Sequence, residues 1–503
     1  MMKRRSAATS PKKRATLPEA GRKLSPRTAV SVGFAAVLFF FWWLACPHIL
    51  SFHEQNQLFL FDGKYLAERL SVSGGLADWC SEFIVQFFCY PALGALLMAL
   101  LFCLLQWALS RLFANYALSF LVPLLVLVWM GDVDALVSFP VALTGAALLC
   151  PVFEKCGWWG ILAFPAAFWL LGPVGAIPMI YALIRRHSVR EVVSLVAGAA
   201  LCYALYRIFL RQYPARDVFC GINYYRGKYT LPALQIAAML ALPVLFVCDG
   251  WMRGAVRKPL PQALMVLVFV AAGLVGMRYT YKGDLHSLLK LDYHIRYNRF
   301  EKVLETAQKE WPQSAPACTA VNLALYMTGR MDKDFERYFQ CGTDGLIMPV
   351  VRDNISDIAT SEVFWRLGLP NQTLQYCFDL QESIPNCRKS GRFTCRIAQC
   401  HILDGHYDIA SRYLDVLSKT LFYRSWAKAH QKLLWNEQAI AAHPVYSVLK
   451  SFRMDEEISP GKVNYDQIFA CLYHKNPDNV MAALYFQAWN KLRLFEQKNT
   501  TDE

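Results

Sequence analysis

Charge is scarce in this chain. Only 18% of its 503 residues are Asp, Glu, Lys or Arg, against about 25% in soluble domains, and 55% are hydrophobic. The shortage is local: residues 28–280 hold 27 charges in 253 positions, whereas 281–503 hold 53 in 223. That split excludes a wholly soluble protein and equally one that lies entirely within a membrane. The formal net charge of +14 divides into +8 over residues 1–27, +5 over 28–280 and +1 over 281–503. A nucleic-acid binder carries its basic patch on a folded domain. Here the folded C-terminal part is neutral, so nucleic acid is not an expected partner.

Catalytic signatures are missing as well. There is no phosphate-binding GxxxxGKS or GxxxxGKT loop, no HExxH, no GxSxG and no GxGxxG, so nucleotide hydrolysis, zinc peptidase and serine hydrolase chemistry lack support. The 16 cysteines include no CxxC pair. Those in apolar runs act as small hydrophobes, and some of those outside them, from Cys80 and Cys220 to Cys471, can pair where the compartment is oxidising. No Asp or Glu falls in the middle of an apolar run, which speaks against a proton-coupled transporter.

What is present begins with a Ser/Pro/basic tail, residues 1–27, which reads as disordered and cytoplasmic. Nine apolar runs follow, at 29–50, 83–109, 117–130, 135–152, 158–172, 174–184, 191–210, 231–249 and 262–280. They predict an all-α, polytopic membrane domain over 28–280 with about nine spans. Lys and Arg concentrate in cytoplasmic loops. The tail, Arg111, Lys155 and Arg185-Arg186 then lie inside, and loop 51–82, with two basic and five acidic residues, lies outside. The same alternation puts 211–230 and everything after 280 outside the cytoplasm. The protein is thus expected in the inner membrane, its C-terminal domain periplasmic.

Residues 281–503 carry helical periodicity and no alternating strand pattern. Turn-like positions at Asn298, Gly329, Gly368 and Gly405 are 31, 39 and 37 residues apart, near the tetratricopeptide period of about 34. This predicts an α-helical repeat domain, a class whose concave face binds a peptide or protein partner. A compact helical cap on the membrane part is the competing reading.

The first outer loop is the most distinctive stretch. Polar Glu54-Gln55-Asn56-Gln57 runs into apolar Leu58-Phe59-Leu60-Phe61, suggesting an interfacial segment, and 64–70 can form a short amphipathic helix. Gly74-Gly75-Leu76 follows. These residues resemble an uncharacterised bacterial family of multi-spanning membrane proteins that share an EQNQLFLF-like loop, a GGL turn and a tetratricopeptide-like C-terminal region. That resemblance covers most of the chain and implies no activity.

A weaker, architectural resemblance is to type-C glycosyltransferases, which have many spans, a large first outer loop and an outer C-terminal domain, and which use lipid-phosphate-linked sugar donors. It implies a carboxylate base to activate the acceptor, here Glu54 or Asp62. It implies Asp132 and Asp134 as ligands of a divalent cation, Mg or Mn, and Arg211 and Arg216 as the groups that hold the lipid phosphate. The alternative is that these residues are ordinary loop and capping residues of a non-catalytic scaffold in the lipid bilayer, whose repeat domain binds an envelope protein.

Overall fold

The computed structural model describes residues 26–222, 224–227, 233–252, 259–454 and 464–501. The basic tail read at 1–27 falls almost wholly outside the described residues. Among the described residues every regular element is helical, with only isolated bridges from Arg226 to Ala135 and Ile222.

The first part opens with α1 (Pro26–Phe40), α2 (Pro47–Gln55), α3 (Gly63–Leu70), α4 (Gly75–Val85) and α5 (Pro91–Leu112). It continues through α6 (Leu121–Trp129), α7 (Ser138–Cys156), α8 (Gly160–Leu171) and α9 (Ile177–Arg186), and closes with α10 (Val189–Phe209), α11 (Ala215–Cys220), α12 (Ala233–Met252) and α13 (Pro259–Thr280). The caps follow ordinary chemistry. Pro91 starts α5, where a missing N–H costs nothing, and the Ser188 hydroxyl accepts from Arg190 N at 3.3 Å to open α10.

Six helical stretches are long and apolar enough to cross a membrane, not the nine expected: Arg27–Ala45, Pro91–Leu112, Ser138–Arg186, Val189–Phe209, Ala233–Gly250 and Pro261–Thr280. The 49-residue stretch Ser138–Arg186 doubles back at Gly157 and Gly172, so that α9 packs along α7. That stretch counts once but holds three of the expected runs, α7, α8 and α9, and the remaining run, at α6, is too short to be counted; α6, α8 and α9 have 9, 12 and 10 residues. At 1.5 Å per residue they rise only about 14–18 Å, against about 30 Å of hydrocarbon. Apolar runs in the sequence do not show where helix gives way to 3-10 turns, which happens at Tyr116–Phe120 and Gly172–Ala176. Leu96, Leu100, Leu104 and Trp107, an i, i+4 stripe on α5, are 43–55% exposed, an apolar face suited to lipid.

The segment ends gather into two groups. At one, Tyr116 donates to Arg27 O (2.7 Å), Arg185 Nη2 to Leu112 O (3.1 Å), and Asp249 accepts from the amides of Ala114 and Asn115. At the other, Gly74 N donates to Trp169 O (2.9 Å), Trp169 Nε1 to Leu70 O (2.9 Å), and Thr280 Oγ1 to Val128 O (2.8 Å). Loops 51–82 and 211–227 therefore share one end. They meet at Gly74, where an added Cβ would lie 2.6 Å from the Tyr224 ring. Tyr224 and its neighbour Tyr225 also close on Gly172, where φ is +74° and an added Cβ would lie 2.6 Å from the Tyr224 ring and 2.7 Å from the Tyr225 hydroxyl.

The second part comprises α14 (Gly283–Arg296), α15 (Phe300–Glu310), α16 (Ala315–Met327), α17 (Met331–Asp334), α18 (Ile358–Leu367) and α19 (Pro370–Glu382). It ends with α20 (Gly391–Leu403), α21 (Tyr407–Ser418), α22 (Arg424–Gln431), α23 (Glu437–Ala442), α24 (Pro444–Phe452), α25 (Tyr465–Lys475) and α26 (Val480–Thr501). Each of the four turn positions, Asn298, Gly329, Gly368 and Gly405, has left-handed φ and separates two helices. The series is irregular, since only four residues are helical after Gly329. It is also closed: Phe469 and Tyr485 of α25 and α26 share a core with Leu323 of α16 and Phe364 of α18.

Gly172→Ala is expected to lower stability by roughly 1–3 kcal/mol, because its φ/ψ suits glycine alone. Thermal unfolding in detergent measures this, and an unchanged midpoint would remove Gly172 as a fixed point of the fold.

Candidate functional site

The first outer loop is not a solvated loop. Ser51 through Gln57 are buried, none more than 7% exposed, because the helical domain closes over them. Glu54, at the C-terminal end of α2, is ion-paired with Arg296 of α14 and accepts from the Tyr423 hydroxyl at 2.8 Å. Arg296 also donates to Ser51 O and Oγ, at 3.1 and 3.0 Å. Gln55 Oε1 accepts from Arg392 Nη1 at 3.0 Å. The chain then extends as a strap along the domain: Leu58 N donates to Lys389 O (2.9 Å) and Phe61 N to Lys419 O (2.8 Å). Leu58 enters the core formed by Ala398, Leu414 and Tyr446. Phe59 turns the other way and packs against Tyr65, Trp79 and Phe83.

Beneath the strap lies a second, fully buried set of charges. Asp78 and Glu82 stand one turn apart on α4, so their carboxylates share a face. Arg388, in the loop before α20, binds both: Nη2 to Asp78 Oδ1 at 2.5 Å and Nε to Glu82 Oε1 at 3.1 Å. Arg69 of α3 binds Glu82 at 2.9 and 3.1 Å, and the Tyr65 hydroxyl donates to the same carboxylate. His53 is buried nearby. Burial, reinforced by the Arg388 charge, pushes its ring down to about 4.

A third contact uses neutral imidazoles. His48 Nε2 lies 3.1 Å from His286 Nδ1, and His286 Nε2 lies 3.1 Å from Gly131 O. Two neutral rings satisfy this chain, each donating once. Tyr281 stacks on His286 at 3.7 Å. Burial pushes His286 down to about 4, partly opposed by the Gly131 carbonyl.

The residues expected to form a site are distributed over these contacts. Asp62 caps α3, accepting from Lys64 N at 3.0 Å, and pairs with Lys419 at 2.6 Å. Asp132 accepts from Asp134 N at 3.2 Å and pairs with Arg226 at 2.5 Å, while Asp134 O accepts from Gly227 N. Arg211 is exposed, and Arg216 is exposed with Asp217 3.5 Å away. Arg216 lines a cavity of about 690 Å³ with Arg388 and Lys389, so the 211–227 loop and the loop before α20 face each other. No two of Glu54, Asp62, Asp132 and Arg216 contact one another. Among the described residues no three His, Cys, Asp or Glu side chains converge as a metal site, so Asp132 and Asp134 have no third ligand of that kind.

Asp78, Glu82, Arg296, Arg388 and the His48–His286 pair were not singled out from the sequence. One signal was there: two acidic residues four apart inside the apolar GLADWCSEFIV helix. Their partners, about 300 positions downstream, carry no local mark.

Two outcomes follow. Arg388→Ala leaves Asp78 and Glu82 buried with half their compensation and is expected to cost about 3–5 kcal/mol, read by thermal unfolding; a midpoint like that of the unaltered protein would refute the clamp. Stability is also expected to fall with pH. His53 and His286 take up protons on unfolding once pH drops below about 6.5, and in the folded state only near 4, so stability is complete above 6.5 and is lost between 6.5 and 4. Each ring contributes up to roughly 3 kcal/mol, and His286→Gln should flatten the melting profile over that window.

Comparison with curated proteins and with solved structures finds no match. A family profile described as a family of unknown function, DUF6057, matches residues 23–493 and so takes in α1, the buried strap, the Arg388 clamp and the helical domain alike; the chain belongs to that family.

Proposed function

We propose that the protein is a non-catalytic scaffold of the inner membrane, with its N-terminus in the cytoplasm and its helical domain held rigidly on the periplasmic side to engage an envelope protein. The observation that carries this reading is the state of the carboxylates. Glu54, Asp62 and Asp132 are each neutralised by a basic side chain, and Glu54 is buried as well. A general base must reach the proton that it removes, and Glu54 is turned into an interface. Buried ion pairs add little net stability but fix geometry, which suits a domain that must hold one position relative to the bilayer.

Orientation draws on charge. Arg27, Arg185 and Arg190 mark one group of segment ends, and the acidic first loop marks the other. The helical-repeat reading of the domain draws on its four left-handed turns.

A second reading, a transferase using a lipid-phosphate-linked donor, is favoured by the cavity where a lipid phosphate would meet the exposed cations Arg216 and Lys389. Mass spectrometry of lipids and metals retained by the detergent-purified protein separates the two. The scaffold reading expects the same lipids in Asp132→Asn/Asp134→Asn as in the unaltered chain. Loss of a sugar-lipid or a divalent cation in the double variant would support the transferase and overturn the scaffold.

The orientation has its own test. The Cys318 and Cys341 side chains lie side by side against Gly345 as free thiols. In an oxidising periplasm they are expected to form a disulfide, giving two protons and two electrons to a disulfide oxidant. Peptide mapping without reductant should find the Cys318–Cys341 link; a fully reduced pair in protein isolated from intact envelopes would argue for the opposite orientation.

A further inference from the structure

The helical domain contains a cavity of about 370 Å³ that plays no part in the scaffold reading. Three helices build it. Arg296 closes α14. Glu362 and Arg366 sit one turn apart on α18, and Arg392 and Arg396 one turn apart on α20. Tyr423 and Trp426, at the start of α22, complete the wall.

Four guanidinium groups in one cavity require compensation, and three of them have it. Arg296 is paired with Glu54. Arg392 is paired with Asp292 at 2.7 Å and lies 3.6 Å from Glu362. Arg396 binds Glu362 at 2.6 and 2.8 Å and stacks over Trp365, 4.5 Å from the ring centre. Burial pushes Glu362 upward, but Arg396 and Arg392 outweigh it and hold the carboxyl at about 2, so it stays charged. Arg366 is the remainder. Among the described residues no carboxylate lies within ion-pair distance of it, although Glu362, one turn back, feels its charge; its Nε is buried with no hydrogen-bond partner, and the Phe300 ring lies 5.7 Å away. Four cations against Glu54, Asp292 and Glu362 leave one positive charge in excess.

A buried guanidinium nitrogen without an acceptor is costly, and the cost disappears when an oxyanion enters. We infer that this cavity binds a small phosphate ester, its phosphate on Arg366 with help from Arg392 and Arg396. The donors arrive from separate helices rather than as a single planar fork, which suits a tetrahedral oxyanion better than a planar carboxylate. The volume falls in the range of small-ligand sites, about 300–1,000 Å³, and Tyr423 and Trp426 line the wall beside the arginines. A soluble metabolite and a lipid headgroup present the same phosphate chemistry.

The test is calorimetric titration of the full-length protein in detergent. The probes are glycerol 3-phosphate and, separately, phosphatidylglycerol in nanodiscs. Saturable binding of glycerol 3-phosphate identifies a soluble ester as sufficient; binding of phosphatidylglycerol alone identifies a lipid headgroup. Either supports the site. Arg366→Gln should weaken binding about 10- to 100-fold with the melting temperature unchanged, because no carboxylate loses its partner. Arg366→Lys, which keeps the charge without the fork, should fall between. Glu362→Gln removes a competing anion and should tighten binding several-fold; weaker binding in that variant with its fold intact would overturn the proposal. So would the absence of binding by either probe, or Arg366→Gln binding as the unaltered protein does.

Discussion

Two carboxylates buried on one face of α4 impose the main constraint on this molecule. Asp78 and Glu82 are out of water, where an isolated carboxylate would not stay ionised. Arg69 comes from the next helix and is cheap to bring. Arg388 comes from about 300 residues away, and its arrival fixes where the helical domain sits. Once it is in place, α20 starts immediately after it, capped by Ser390 accepting from Phe393 N. The register of that helix then points Arg392 at Gln55 and Asp292, and Arg396 at Glu362. The strap at 57–61 gains backbone partners in Lys389 and Lys419 only because the domain is already against the membrane part.

The same network explains an asymmetry in the charge. The first loop is acidic and the helical domain nearly neutral, which suggests two surfaces facing water. In the folded chain the acids of the loop are neutralised by the domain: Glu54 by Arg296, Asp62 by Lys419, Asp78 and Glu82 by Arg388. Charges dispersed along the sequence become local pairs across one interface. Two neutral histidines complete the same seam, His48 from the membrane part and His286 from the domain, meeting over the Gly131 carbonyl. Acid therefore acts mainly on this seam, where protons can be taken up only by opening it.

Much of this architecture was legible in the sequence. Helical class, the short helix after Asp62 and all four turn positions of the C-terminal part follow from periodicity and from glycine or asparagine at the right places. The common end shared by loops 51–82 and 211–227 follows from alternating the apolar runs, although Arg211, Arg216, Arg226 and Lys228 run against the Lys and Arg rule. The span count did not, because α6, α8 and α9 are apolar but short, and composition does not report length once 3-10 turns intervene. The environment of EQNQ did not follow either. Polar residues running into LFLF suggest an interfacial segment, and only the domain folded over them makes them interior. A local pattern shows which residues are polar, but the chain that covers them lies hundreds of positions away.

That stretch also shows where stability is not the only constraint. Side chains chosen for stability alone leave few buried polar atoms unpaired. Yet His53 Nε2, Gln55 Nε2, Asn56 Oδ1 and both polar atoms of Gln57 have no partner among the described residues. At about 1–3 kcal/mol for each unmet buried group, apolar residues there would give a more stable protein. Local rules tend to be broken where something other than stability is being selected. Five such atoms fall within residues 53–57, beside Arg392 and Arg296 at the junction of strap and domain. By that reasoning the junction is a place where stability alone has not set the side chains.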